Sequence, residues 1–329
     1  MQRIEISYKT IVFTVLFLLG IRFVWEIRDL IFSLLIAFIL MSALRPLVMK
    51  LKEKKLSHGV AVAITYAAFL FIVIALFSII IPPIIEETSA FITSFPVIIQ
   101  KLDPRLSFLV SGLSLGQYLP DATNQVLKFA TSFFTNALFI VSTLFFGFYF
   151  LLEEKEIIDF ITIYVPKHTM QRFTAVFEHV TVRLSSWFWG ELTLMTVVGL
   201  LNFIGFSLIG IKYALPLAVL AGLLEVVPNI GPTIAALPAF LIGISISNYT
   251  GVTALAVAFL VQQLENNLIV PVIMRHAVGL NPIITLIVLV IGGKIGGVLG
   301  LLLAIPAFLF VESILLEVLR DRRLTEKLQ

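Results

Sequence analysis

The stretch Glu225–Pro238, EVVPNIGPTIAALP, decides how the chain is read. It sets a carboxylate, Pro228, Gly231 and Pro232 inside one of the most apolar parts of the sequence. A continuous membrane helix tolerates none of these well. Proline removes a backbone donor and clashes with the preceding turn. An ionised carboxylate at the bilayer centre costs about 2.5–3.5 kcal/mol on insertion scales. Broken backbone at membrane depth survives only where protein buries it or where it lines a watery cavity. The stretch therefore reads as the place where a membrane protein opens to what it carries.

Composition sets the same frame. The 329 residues are 59% hydrophobic and 13% charged, with mean hydropathy +1.07. The charged share is about half the ~25% of soluble domains. Several apolar runs exceed the ~20 residues that cross a bilayer as helix. The fold class is an all-α polytopic membrane protein, with about five full spans, two re-entrant or broken helical segments and amphipathic interfacial helices. The net charge of +3 is small and its basic residues cluster in short loops. That fits membrane topology and argues against a nucleic-acid partner. There is no cysteine, so thiolate metal sites and disulfides are excluded. His58, His168, His179 and His276 lie far apart in sequence, which argues against a metal centre. No nucleotide-binding loop and no nucleophile–base pair is visible, so the chain reads as no enzyme and needs no cofactor beyond a transported or coupling Na+ or H+.

In chain order, residues 1–83 hold three spans. The first two, Ile11–Val24 and Leu30–Leu44, are closely linked through Arg22, Glu26, Arg28 and Asp29. The loop RPLVMKLKEKKLSH, with Arg45, Lys50, Lys52, Lys54 and Lys55, is the strongest positive-inside signal and places itself and the N-terminus in the cytoplasm. A third span, Gly59–Ile81, is expected to stop at Pro82-Pro83. Residues 84–130 read as an extracytoplasmic amphipathic segment. Residues 131–190 read as a fourth span followed by cytoplasmic interfacial helices, because apolar positions across Thr169–Phe188 fall on one helical face. A fifth span follows, Leu192–Ile211; its Asn202 reads as an interhelical hydrogen bond. Residues 191–319 form the transport core, and 320–329 a cytoplasmic tail.

Two segments of that core resemble each other. Residues 216–241 and 282–309 both start at proline, run apolar, break at a glycine-containing tip (NIG at 229–231, KIG at 294–296) and end in PAFL. They read as two re-entrant hairpins, 214–247 and 282–310, around a polar helix, 250–274. Repeated discontinuous segments point to a secondary transporter's binding site. If the first hairpin enters from outside, the second enters from inside. The run after Gly297 is long enough to be a full span instead. The polar helix carries QQLENN, residues 262–267, whose polar groups cannot all face lipid. From these features the candidate substrate- or ion-binding residues are Glu225, Pro228, Asn229, Gly231, Pro232, Gln263, Glu265, Asn266 and Asn267. Lys294, Gly293 and Gly296 are candidates for gating.

EVVPNIGPTIAALPA and QQLENNLIVPVIMRHAVGLNPIITLIVLVIGGKIGGVLGLLLAIPA resemble the signature blocks of the autoinducer-2 exporter (AI-2E) family of bacterial permeases. The resemblance covers essentially the whole chain and is specific over residues 216–310. It implies a homo-oligomeric inner-membrane carrier in contact with lipid, exporting a small polar solute such as a quorum-sensing signal. Some members resemble sodium(lithium)/proton antiporters, which makes a monovalent cation the alternative cargo. A scaffold that moves nothing is the reading from another class. The family pattern carries roles to Glu225, Pro228, Gly231 and Pro232, and to Gln263, Glu265, Asn266, Asn267 and Pro271. Asn266-Asn267 departs from it by adding polarity.

Overall fold

A computed structural model describes residues 8–102, 137–164, 166–228, 230–273 and 281–326. The described residues are mostly helical and include no strands. We number the helices α1 (Tyr8–Glu26), α2 (Arg28–Glu53), α3 (His58–Leu102), α4 (Ala137–Leu152), α5 (Glu154–Tyr164), α6 (Lys167–Leu208), α7 (Ala214–Leu224), α8 (Ile230–Ile246), α9 (Asn248–Leu264), α10 (Val270–Ile273) and α11 (Pro282–Glu326); a π-helical turn, Glu265–Ile269, joins α9 to α10. Six of these segments are long and apolar enough to cross a membrane, or up to seven if the bent pair α4–α5 is one span.

Three sequence expectations give way. The helix through residues 59–81 does not stop at Pro82-Pro83; α3 continues to Leu102. The fixed φ of proline is helical, and a lost donor bond is tolerated in membrane helices where neighbours or water re-satisfy the freed carbonyl. Thr169–Phe188 is not a separate interfacial helix, because α6 runs unbroken for 42 residues. Its polar face meets protein rather than headgroups: Glu178 and Arg183 pair with residues of α2 and α11. Finally, Ile27 N–H donates to Phe23 and Ile31 N–H to Ile27, so α1 and α2 share successive turns and no loop reverses the chain between them. Of the segment 84–130, residues 84–102 belong to α3, and 103–130 lie outside the described residues.

α6 is the axis of the structure; α2, α7, α9 and α11 all pack on it. At one end lie the lysine-rich turn, His58 and the end of α4, where the His58 imidazole meets the Leu152 carbonyl at 3.2 Å. We call this the basic end. α2 and α4 run toward it in parallel, tied at their other ends by the buried Ser33–Thr143 hydroxyl pair at 2.7 Å.

Both broken segments fold back. In the first, Gly222 of α7 lies against Met195 and Gly199 of α6, and α8 packs on α7 across the break. A Cβ on Gly231 would meet the Leu224 carbonyl, so only glycine allows the chain to double back this tightly. In α11 the backbone leaves the helix at Gly297, with φ 58° and ψ −134°. A Cβ built on Gly292 would sit 2.7 Å from Ala304 Cβ. A straight helix would separate those residues by about 18 Å at 1.5 Å per residue. Residues 282–310 are thus a hairpin rather than one span, turning at Gly297, one residue past KIG.

The hairpins enter from opposite ends. α6 climbs from the basic end to the turn at 209–213, and α7 descends from there to mid-height. The second arm of α11 returns to the basic end, where Glu312 meets Arg183. Val227, in the first break, belongs to the same buried cluster as Trp187, Leu289, Leu303 and Ile305, so the first break shares a core with the second hairpin.

Candidate functional site

The site grows from two interruptions at one height. α7 ends at Leu224 because Pro228 cannot supply the donor that another turn needs. Pro232 then sits near the start of α8, where a missing N–H costs nothing. Glu225 falls in the gap and is 2% exposed. Opposite it, α9 gives way to the π-helical turn at Glu265, where Val270 N–H reaches the Glu265 carbonyl five residues back. Pro271 withholds the donor that would close an ordinary turn on Asn267. π-turns of this kind are frequent at functional sites. The wider turn leaves Glu265 buried, 3% exposed, with Asn266 and Asn267 outside.

The carboxyl groups of Glu225 and Glu265 neighbour each other. A third buried carboxyl, Glu191 of α6, lies near them. Each of the three keeps one oxygen buried and unpartnered: Glu191 Oε1, Glu225 Oε2 and Glu265 Oε2. Together they make a set of three buried acidic groups, a costly arrangement inside a membrane protein.

Glu265 also lines a narrow pocket between α6, α7, α8 and α9. Its polar lining is Asn202, Gln262 and Glu265; its walls are alanines, valines, Pro232 and Phe206. Such a space has room for about one water-sized occupant.

The structure gathers some of the sequence candidates and separates others. Glu225, Pro232 and Glu265 belong to the site, and Gly231 makes its turn possible. Pro228 is half-buried in the break, and Asn229 lies outside the described residues. Gln263, Asn266 and Asn267 are exposed on the other face of the helix; Asn267 donates to the Gln263 carbonyl at 2.9 Å. Gln262, their neighbour, is the amide that reaches the pocket. Asn202, expected to bond across helices, donates instead to Val198 of its own helix at 2.9 Å and faces the pocket. Lys294 is exposed and is not among the groups that act on the carboxyl cluster, so it makes no bridge to Glu225 or Glu265. Gly293 has only Leu301 near it, and Gly296 lies under the Phe32 ring.

Glu191 escaped the sequence reading. The signal was present: a lone carboxylate in WFWGELTL, inside a membrane helix, is a site candidate by default. Reading Thr169–Phe188 as interfacial put Glu191 at the membrane boundary, where a carboxylate needs no explanation.

Opposed broken hairpins closing on buried acids next to a small pocket define a multi-pass helical membrane transporter. The chain belongs to the AI-2E family of transporters, whose family model matches residues 11–320. It is 25% identical over 331 residues to the Bacillus subtilis protein named "Putative transport protein YueF", covering 93% of this chain and 88% of that one. It is 27% identical to Escherichia coli K12 "Putative transport protein YhhT", covering 84% and 82%. It is also 28% identical to "Putative permease PerM" of the same organism, over 51% of this chain and 48% of that one.

Proposed function

We propose that this transporter is a secondary carrier of a small polar solute, driven by a proton or sodium gradient through Glu225 and Glu265. The observation that carries the reading is the pair of buried carboxyls, held at two helix interruptions with Glu265 also on the pocket wall. One residue in both places lets the occupant of the pocket and the proton compete for the same carboxyl. A quorum-sensing signal, suggested by the family resemblance, is the first solute to test. A sodium(lithium)/proton antiporter is the second reading. The small pocket and the unpartnered carboxylate oxygens favour it, because both suit a monovalent cation.

By the positive-inside rule the basic end is cytoplasmic, with the C-terminal tail on that side of an inner, cell-limiting membrane. The assignment does not extend to the N-terminus, because no loop reverses the chain at Ile27. Association into a homo-oligomer accords with α1, where no described residue is buried within the chain. The candidate residues outside the carboxyl cluster, Gln263, Asn266 and Asn267, act at most through the helix that carries Glu265.

The test is flux in proteoliposomes under imposed pH and sodium gradients, with the quorum-signal class of solute, sodium and lithium as cargo. Glu225→Gln is expected to abolish gradient-driven flux of whichever cargo the native chain moves. Native-level coupled flux in this variant would overturn the reading.

A further inference from the structure

On the basic side of the carboxyl cluster, α6 is clasped by charges. Arg45 of α2 makes a bidentate bond to Glu178 of α6, both contacts 2.6 Å, and a third to Glu154 of α5 at 3.0 Å. Arg183 of α6 donates to Glu312 of the second hairpin at 2.8 Å and to Ser313 at 3.1 Å. Beside these pairs, the Phe38 ring of α2 stands edge-on to Phe177 of α6 and to Phe310 of the second hairpin, at 5.7 and 5.5 Å. Trp189 adds a bond to the Ala43 carbonyl at 3.0 Å. Arg183 precedes Glu191 by about 12 Å along the helix and Glu178 by about 20 Å.

On the other side of Glu191 the character of α6 changes. Gly199 meets Ala218 and Gly222, Gly205 meets Val257, and the pocket opens along Val198, Asn202 and Phe206. One side of the carboxyls is tied by ion pairs over an aromatic layer. The other is packed on glycine and holds the pocket.

We propose that Arg45–Glu178/Glu154 and Arg183–Glu312, with the Phe38–Phe177–Phe310 layer, are the gate that shuts the basic end while the pocket faces the opposite side. Ion pairs suit this task. When the crevice opens, water solvates both separated partners, so the closed and open states stay close in energy. The pairs also join the three parts that must separate for access from the basic end: α2, α6 and the second hairpin. Arg45 and Arg183 are positioning residues; neither touches the carboxyl cluster in the structure.

The proposal rests on the chain being a transporter, not on its cargo or coupling ion. The sequence has no cysteine, so one reporter thiol can be placed without background. Ser185→Cys puts it at a buried position between the gate and Glu191. Labelling by a membrane-impermeant thiol reagent is then followed from each side, in inside-out and right-side-out vesicles. The native-gate protein is expected to label slowly from the basic side. Arg183→Gln or Glu312→Gln is expected to raise that rate by about fivefold or more, the lower range of conformational coupling. The double reversal Arg183→Glu with Glu312→Arg is expected to restore the slow rate. Glu312→Asp, which keeps the charge but shortens the reach, covers the case in which the glutamine variant does not reach the membrane, and is expected to give a smaller rise. An unchanged rate in these variants, a rise only from the opposite side, or a fast rate in the double reversal would overturn the gate. No substrate is used, so this outcome is separate from that of the flux test.

Discussion

The two hairpins share a plan and divide the work. Both start near a proline, turn on a glycine-dependent contact and end in PAFL. The first breaks over several residues and holds a buried glutamate in the gap. The second turns on a single glycine, packs its arms through Gly292 and Gly300, and carries a charge near the tip, Lys294, on the surface. The same outline therefore yields a chemical element in one case and a mechanical one in the other. What separates them is whether the gap is wide enough to admit a side chain. The break from Glu225 to Pro228 makes room for a carboxyl; one residue, Gly297, does not.

This contrast can be broken by substitution, and the largest effect is expected at the acids. Glu265→Gln should lose gradient-driven flux down to the level of empty vesicles, as Glu225→Gln does. Lys294→Gln should keep flux within about twofold, equivalent to the ~0.5 kcal/mol of an ordinary surface change. Equal losses in both would mean that the second hairpin carries chemistry after all. Next come the turns. Gly231→Ala and Gly292→Ala each force a methyl into backbone and should cost about 1–3 kcal/mol, read as thermal unfolding in detergent. Gly297→Ala meets open space but keeps a left-handed φ, and should cost ~1–3 kcal/mol by strain instead. Gly293→Ala, with only Leu301 Cδ1 at 3.7 Å, should stay within ~0.5 kcal/mol. A further effect of about this order is expected outside the hairpins. Ser33→Ala removes the buried bond to Thr143 and should cost about 1 kcal/mol without changing flux.

Much of this was legible in the sequence, for a physical reason. A carboxylate and prolines in an apolar run are costly wherever they fall, so EVVPNIGP marks a break without any tertiary knowledge. The second hairpin needed more. GGKIGGVLG permits close packing but does not say against what, and only the approach of Gly292 to Ala304 shows the fold-back. The polar rod was read one face off. QQLENN on an ordinary helix spreads its polar groups, and the π-turn that buries Glu265 while exposing Asn266 and Asn267 is not written in periodicity. Glu191 was hidden by a plausible amphipathic pattern whose polar residues, Glu178 and Arg183, were waiting for Arg45 and Glu312 more than a hundred residues away in sequence.

The claim on which the rest depends is that Glu225 and Glu265 hold an exchangeable proton within reach of water. Infrared spectroscopy of the protein in lipid tests it directly, by following the carboxylic-acid carbonyl band on transfer from H2O to D2O. The native chain is expected to show a band that shifts with deuterium and is lost in the Glu225→Gln and Glu265→Gln variants. A band that does not exchange, or one that survives both substitutions unchanged, would contradict the account.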